Sequence, residues 1–161
     1  NLPTKDKMSS PKYQAIKNKE IPRKVLEDNA GEIEVIAGAY KDVQGVASTF
    51  TPLHMMNAKL NKGGKVDFDF PAHYNTVLLV LEGSIEINGS EKTPTNHLAL
   101  MANDGENFTI EASEDSVVLV LSGAPIDEPI AAHGPFVMNT KEELMEAFND
   151  FNNGKFGYLE D

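Results

Sequence analysis

From Glu32 onwards the apolar residues come in short runs with a period of two, broken by Gly, Asn and Pro. Successive side chains on a strand point to opposite faces, so this grammar excludes a helical bundle and predicts half-buried β-strands. Glu32-Ile33-Glu34-Val35-Ile36 alternates before Gly38, and Lys65-Val66-Asp67-Phe68-Asp69-Phe70 alternates after the Gly63-Gly64 turn. Val77–Leu81 is continuously apolar, which predicts a central strand. It feeds a hairpin partner in which Ile85 and Ile87 alternate with polar residues as far as the Asn88-Gly89 turn. Further strands are predicted at Leu53–Leu60, Leu98–Met101, Phe108–Ala112 and Val117–Leu121, a spacing of about ten residues that suits a sandwich or barrel. No helix of three turns fits between residues 32 and 123.

One internal echo sharpens the topology. Val77-Leu78-Leu79-Val80-Leu81-Glu82-Gly83 and Val117-Val118-Leu119-Val120-Leu121-Ser122-Gly123 share a pattern forty residues apart. Two related strands, each ending in Gly, fit a closed two-sheet barrel built from related hairpins better than a solenoid, which needs at least three repeats. After Pro135 the pattern changes. Thr140-Lys141-Glu142-Glu143 is a capping box, and Leu144, Ala147, Phe148 and Phe151 follow at i, i+3, i+4 and i+7. Gly154 ends the helix, predicted over about 140–153. Its apolar stripe must be buried, on this barrel or on a neighbour.

Charge is partitioned along the chain. Residues 1–27 hold seven basic and three acidic side chains, +4, so the net charge of −11 leaves −15 on the remainder. With Pro3, Pro11 and Pro22 and no Gly, this stretch reads as a basic interdomain linker or arm, free to lie on the acidic body. The division expected is therefore a linker over 1–27, a barrel over 28–133 and a helical segment over 134–161. The acidic balance argues against nucleic-acid binding. Apolar runs reach only five residues, as in Val77–Leu81, so no transmembrane helix is expected. The chain opens on Asn1-Leu2-Pro3 without an initiator Met or a targeting pattern, and reads as a cytoplasmic piece of a longer polypeptide. The absence of Cys removes disulfides, thiolate metal sites and thiol nucleophiles together.

Any metal chemistry must then use His and carboxylates. There are four His, His54, His73, His97 and His133, and no His-x-His or His–Glu cluster joins them. His73 precedes the central strand, but Tyr74, Asn75 and Thr76 beside it are poor ligands; His54 and His133 sit near loops and His97 opens a strand. Asp67 and Asp69 share one strand face, which reads as the solvated one because Val66, Phe68 and Phe70 take the other. Asn61-Lys62-Gly63-Gly64-Lys65 lacks the spacing of a phosphate loop and reads as a turn. No nucleophile elbow or dinucleotide fingerprint is present. On residues alone, no catalytic, cofactor-binding or metal site is predicted.

Several segments carry a family resemblance. Asn1–Met8 with Pro11-Lys12-Tyr13-Gln14, Val35-Ile36-Ala37-Gly38, Thr51-Pro52-Leu53, Val80-Leu81-Glu82-Gly83 and His133-Gly134-Pro135-Phe136-Val137-Met138-Asn139-Thr140 with Glu142-Glu143 resemble the C-terminal half of a pirin. Pirins are two-domain proteins of the cupin superfamily. The resemblance implies an all-β cupin double-stranded β-helix, a two-sheet antiparallel barrel with a C-terminal α-helix. It also implies a face-to-face N-terminal cupin of the same polypeptide, with the C-terminal helix packing on that other barrel. Without that barrel, the helix stripe is expected to drive homodimerisation or to leave residues 140–161 frayed.

The cupin motifs also bear on metal. With Gly83 as the closing Gly of the first motif, the Glu position falls on Thr76 and the His positions near Phe70 and Ala72, leaving His73 out of register. The second-motif His region reads Ala112-Ser113-Glu114-Asp115-Ser116. Pirins hold iron in the N-terminal cupin, so the resemblance implies iron, or another divalent metal, in that domain and none here. Some pirins are quercetin 2,3-dioxygenases, in which the metal and the flavonol together activate dioxygen. Others resemble metal-dependent, redox-sensitive binding partners, for which the acidic body would be a docking face. The expectation is an inactive, metal-free cupin half of one or the other.

Overall fold

A computed structural model describes residues 1–157, which pack as two compact units. The first to consider is Lys12–Pro125. Its strands are β1 (Arg23–Val25), β2 (Gly31–Ala37), β3 (Ala39–Tyr40), β4 (Val43–Gln44), β5 (Leu53–Leu60) and β6 (Lys65–Asp69), followed by β7 (Asn75–Glu82), β8 (Ser84–Ile87), β9 (Glu91–Pro94), β10 (Leu98–Leu100), β11 (Asn107–Ala112) and β12 (Ser116–Gly123). A six-stranded sheet runs β1-β2-β5-β12-β7-β10 and a four-stranded one β6-β11-β8-β9, every neighbouring pair antiparallel. The expected all-β cupin architecture is present, but no strand pairing joins the two sheets, so the barrel is open rather than closed.

One apolar core lies between the sheets. The six-stranded sheet contributes Ile33, Val35, Met56, Leu78, Val80, Val118 and Val120; the other contributes Val66, Phe68, Ile85, Ile87, Phe108 and Ile110. Each such side chain, fully withdrawn from water, contributes about 1.5–3 kcal/mol. The clean alternation in Lys65–Asp69 translates into buried Val66 and Phe68 between exposed Lys65, Asp67 and Asp69. The echo strands prove to be neighbours. β12 lies against β7 with Val118 opposite Val80 and Val120 opposite Leu78, and β5 flanks β12 on its other side.

Two expectations need correction. β7 and β8 are consecutive but do not form a hairpin, because they belong to different sheets. The chain crosses at Gly83, whose φ of +74° only a residue without Cβ adopts cheaply. A Cβ there would collide with Ser116 Oγ and the Asp115 carbonyl. Ser116 Oγ in turn accepts from Ser84 N and donates to Ser84 O or Glu114 O, fixing the crossing. The Asn88-Gly89 hairpin instead joins β8 to β9.

The second correction concerns Glu34, which the period of two places on the solvated face. It is 3% exposed. Its carboxylate accepts from Lys59 Nζ at 2.6 Å, Arg23 Nη2 at 2.8 Å and Asn57 Nδ2 at 3.1 Å. Burial alone would raise its pKa; the hydrogen bonds from Lys59, Arg23 and Asn57 outweigh that and hold it at about 2. The outer face of the six-stranded sheet is thus divided. Over β1, β2 and β5 it carries this charged cluster. Over β12, β7 and β10 it is apolar, with Val77, Leu79, Leu119 and Leu121 half-buried and Leu98 and Leu100 60% and 73% exposed.

The other unit is Asn1–Pro11 with the segment beginning at Ile126. β13 (Ala131–His133) and β14 (Phe136–Met138) form a hairpin beside α1 (Lys141–Asn152). The predicted capping box is formed: Thr140 Oγ1 accepts from Glu143 N, and Glu143 Oε2 accepts from Thr140 N. Leu144 and Ala147 of the stripe are buried, and the Phe136 ring lies 4.9 Å from that of Phe148. Phe151 remains 60% exposed. Thr4 donates from both its amide and its hydroxyl to Glu128 Oε2, tying the start of the arm into this unit. No described helix is long and apolar enough to cross a membrane.

Two measurements probe this architecture. Gly83→Ala should destabilise by about 2–4 kcal/mol in urea unfolding, combining left-handed strain with overlap at Ser116, whereas Gly89→Ala, at an open turn, should cost about 1 kcal/mol. Because the folded-state pKa of Glu34 lies below its unfolded value, its contribution of about 1–3 kcal/mol is present above pH 4.5 and lost as pH falls from there towards 2. Glu34→Gln should flatten the acid limb of the stability–pH curve over that window.

Candidate functional site

In a cupin-like barrel the chemistry lies at the mouth, so the inward-facing positions there decide what this chain can do. Beyond the last apolar layer, Met56 on β5, Val120 on β12 and Leu78 on β7, the next inward residues are His54, Ser122 and Thr76, set opposite one another by register. Ser122 and Thr76 are buried and their hydroxyls lie 2.8 Å apart in a hydrogen bond. Each therefore already satisfies the other.

His54 is half-buried on β5, one residue from the start of the strand and so beside a loop, as its sequence setting suggests. Its Nδ1 lies 3.2 Å from the Ala39 carbonyl oxygen, and its ring centroid is 4.8 Å from Phe70 and 6.2 Å from Tyr74. Burial among these groups lowers its pKa, against the opposing effect of the Ala39 hydrogen bond, so the imidazole is neutral at pH 7.

The three positions matching the first cupin motif offer a metal nothing to bind. Phe70 is buried in a ring cluster with Phe68 and Phe108, at centroid separations of 5.9 and 6.1 Å. Ala72 has no donor atom, and Thr76 is engaged by Ser122. His73 is exposed and packs edge-on to Tyr74, His97 is exposed with Nδ1 3.0 Å from the Thr95 carbonyl, and His133 lies on β13 against Phe148. Within the Lys12–Pro125 unit, His54, His73 and His97 form no metal-holding group. Among the described residues no group of three or more His, Asp or Glu could hold a metal ion. The residues present at the mouth do not fit iron or another divalent transition metal. Asp67 and Asp69 are exposed on β6, with Asp67 accepting from Thr109 Oγ1 at 2.5 Å.

What the mouth does offer is a cleft of about 330 Å³ walled by Phe70, Ala72, Tyr74, Thr76, Met101 and Phe108. Three carboxylates, Glu91, Asp104 and Glu106, stand at its rim and no basic residue lines it. Such a surface suits uncharged or cationic groups and repels anions. Sequence reasoning missed the inward row because Ser122 and His54 lie at the ends of strands, where only the pairing register shows which way they face.

Residues 55–157 match the model of the pirin C-terminal cupin domain. A Pseudomonas aeruginosa protein that carries quercetin 2,3-dioxygenase in its name is 42% identical over 97% of this chain and 54% of its own length. Human pirin is 32% identical over 98% of this chain and 55% of its own. A crystal structure described as quercetin 2,3-dioxygenase from Acinetobacter baumannii superposes with a TM-score of 0.92 at 45% identity, covering 99% of this chain and 56% of that one. The chain thus spans about half the length of these relatives. It belongs to the pirin family and corresponds to the C-terminal cupin half of its members.

Proposed function

We propose that this chain is the metal-free half of a cytoplasmic two-cupin protein with quercetin 2,3-dioxygenase activity, whose iron or other divalent metal is held by an N-terminal cupin of the same polypeptide. The observation that carries the metal-free part is the filling of the motif positions by Phe70, Ala72 and Thr76, with Thr76 closed by Ser122. The names of the Pseudomonas and Acinetobacter relatives support the choice of activity. In this reading the barrel is a scaffold. Its apolar outer face over β12, β7 and β10 is the surface on which the N-terminal cupin packs, because a sheet in a solvated monomer normally turns polar side chains to water on that side. Separated from that domain, the chain is expected to self-associate through the exposed Phe151 end of the helix stripe.

Metal content and oxygen uptake with quercetin, measured on this chain and on the full-length protein, test the proposal. The chain alone should bind no stoichiometric metal and consume no oxygen, and the full-length protein should do both. Tightly bound stoichiometric metal in the chain alone would overturn the division of labour. A full-length protein that holds metal yet leaves quercetin untouched would move the reading to a redox-sensitive docking module.

Thr76 should then behave as a structural residue. Thr76→Val leaves the Ser122 hydroxyl buried without a partner and should cost about 1–2 kcal/mol in denaturant unfolding, while adding Ser122→Ala should recover part of the loss. A Thr76→Val protein as stable as its parent would remove that role.

A further inference from the structure

At the end of the barrel opposite the mouth lies a larger cleft of about 690 Å³, formed by the loop before β2, the β3–β4 turn and the Gly63-Gly64 turn into β6. Unlike the mouth, whose charged lining is all acidic, it is lined by lysines as well as carboxylates. Residues 28–125 carry fourteen acidic side chains and only five basic ones, all Lys. Three of the five, Lys41, Lys62 and Lys65, line this cleft, and Lys24 joins them from β1. Lys24 is neutralised by Asp42 at 2.5 Å. Lys41, Lys62 and Lys65 have no carboxylate within ion-pairing distance among the described residues. Glu27, Asp28 and Asp67 also line the cleft, and Asp67 is engaged by Thr109.

Backbone strain gathers at the same place. Among the described residues six non-glycine positions have a left-handed backbone, and three of them, Asp28, Asn29 and Lys41, line this cleft. Asp and Asn tolerate that conformation through local hydrogen bonding; Lys has no such compensation. Strain of this kind persists where the surrounding fold imposes it and concentrates at ligand sites. Here Lys41 follows Tyr40, a buried phenol whose hydroxyl donates to the Asp67 carbonyl at 3.2 Å, so the β3–β4 turn is pinned against β6. Its ammonium sits 5.4 Å from the Tyr40 ring centroid. A strained turn thus places Lys41 on the wall of a cleft that Lys62 and Lys65 also line, in a body that is otherwise strongly anionic.

We infer that this cleft binds a small multivalent oxyanion, a phosphate ester or a polycarboxylate, held by Lys41, Lys62 and Lys65. The selectivity follows from the number of cations. Three ammonium groups attract a dianion or trianion well beyond a monovalent one, and the flanking Glu27, Asp28 and Asp67 penalise any anion too large to stay among the lysines.

The test uses the full chain at low ionic strength, titrated separately with inorganic phosphate and with citrate, against chloride at matched ionic strength. Backbone amide shifts in 15N spectra are the readout. Saturable shifts at Lys41, Lys62, Gly63, Gly64 and Lys65 are expected with phosphate, with citrate or with both, and the difference between the two arms assigns phosphate or carboxylate chemistry. Lys62→Ser/Lys65→Ser should weaken binding about tenfold, and Lys92→Ser, away from the cleft, should leave it unchanged. Lys41→Gly separates strain from charge: it should raise the thermal midpoint and at the same time weaken binding. Shifts no larger than those with chloride, or shifts equal in parent and Lys62→Ser/Lys65→Ser, would overturn the site.

Discussion

The register of β12 between β5 and β7 is the constraint on which the rest of this domain depends. Val118 to Gly123 each have one partner on either side, with a bulge on the β7 side between Val117 and Val118, and side chains alternate along the strand, so a single slip would turn Val118, Val120 and Ser122 out of the core. It would break the Ser122–Thr76 hydrogen bond and expose the inner apolar layer together. That register is over-determined. Val118 and Val120 meet Val80 and Leu78 on one side and Ala58 and Met56 on the other, all buried. Ser116 adds a stop at one end by binding the β7–β8 crossing at Gly83. The apolar character of both faces of β7 and β12 is then a separate property, because the core needs only one of them.

With the register fixed, the functional reading becomes a matter of what stands at each end of the barrel. At the mouth the ring cluster of Phe68, Phe70 and Phe108 fills the interior where a metal-binding barrel keeps space and imidazoles. A cation needs several polar donors converging on one point, and these phenyl rings supply none. At the opposite end the loops, not the sheet, set the chemistry. The lysines there stand on turns whose geometry is held by the buried Tyr40 and by the close approach of Gly64 to the Ala30 carbonyl.

Much of the fold was legible because burial on one face imposes a period of two. Leu53–Leu60 and Lys65–Asp69 could be read from that signal almost to the residue, and the capping box at Thr140 announced the helix through two local hydrogen bonds. Features that depend on which strands meet were not legible. Nothing within Val77–Ile87 says that the chain leaves one sheet for another, since the positive φ at Gly83 is compatible with a hairpin turn as well. Glu34 misled for a related reason. Its alternation is that of a solvated residue, and it is covered only because Arg23 on β1 and Lys59 on β5 flank it from strands distant in sequence. The same holds for His54, Ser122 and Thr76, and for the lysines at positions 24, 41, 62 and 65. Their neighbourhoods are created by pairing, and no spacing in the sequence encodes them.

Glu34 also bears on how the basic arm is managed. Isolated, a stretch with +4 beside a body of opposite sign would be held only by screened, non-specific attraction. Instead, specific carboxylates fasten it at separate points. Glu34 takes Arg23 on the outer face of the six-stranded sheet, and within the other unit Glu128 takes the amide and hydroxyl of Thr4. Between them, Gln14 and Ser48 exchange a reciprocal pair of hydrogen bonds at 2.9 and 2.7 Å. The two attachments differ in strength: Glu34 is desolvated and bonded to two cations, whereas Glu128 meets the uncharged donors of an exposed Thr4. A buried carboxylate that lost its cations would be left uncompensated, so detaching β1 costs far more than releasing the first residues of the arm. The acidity of the body therefore does two kinds of work, fixing the end of the arm at β1 while leaving its beginning the easier part to displace.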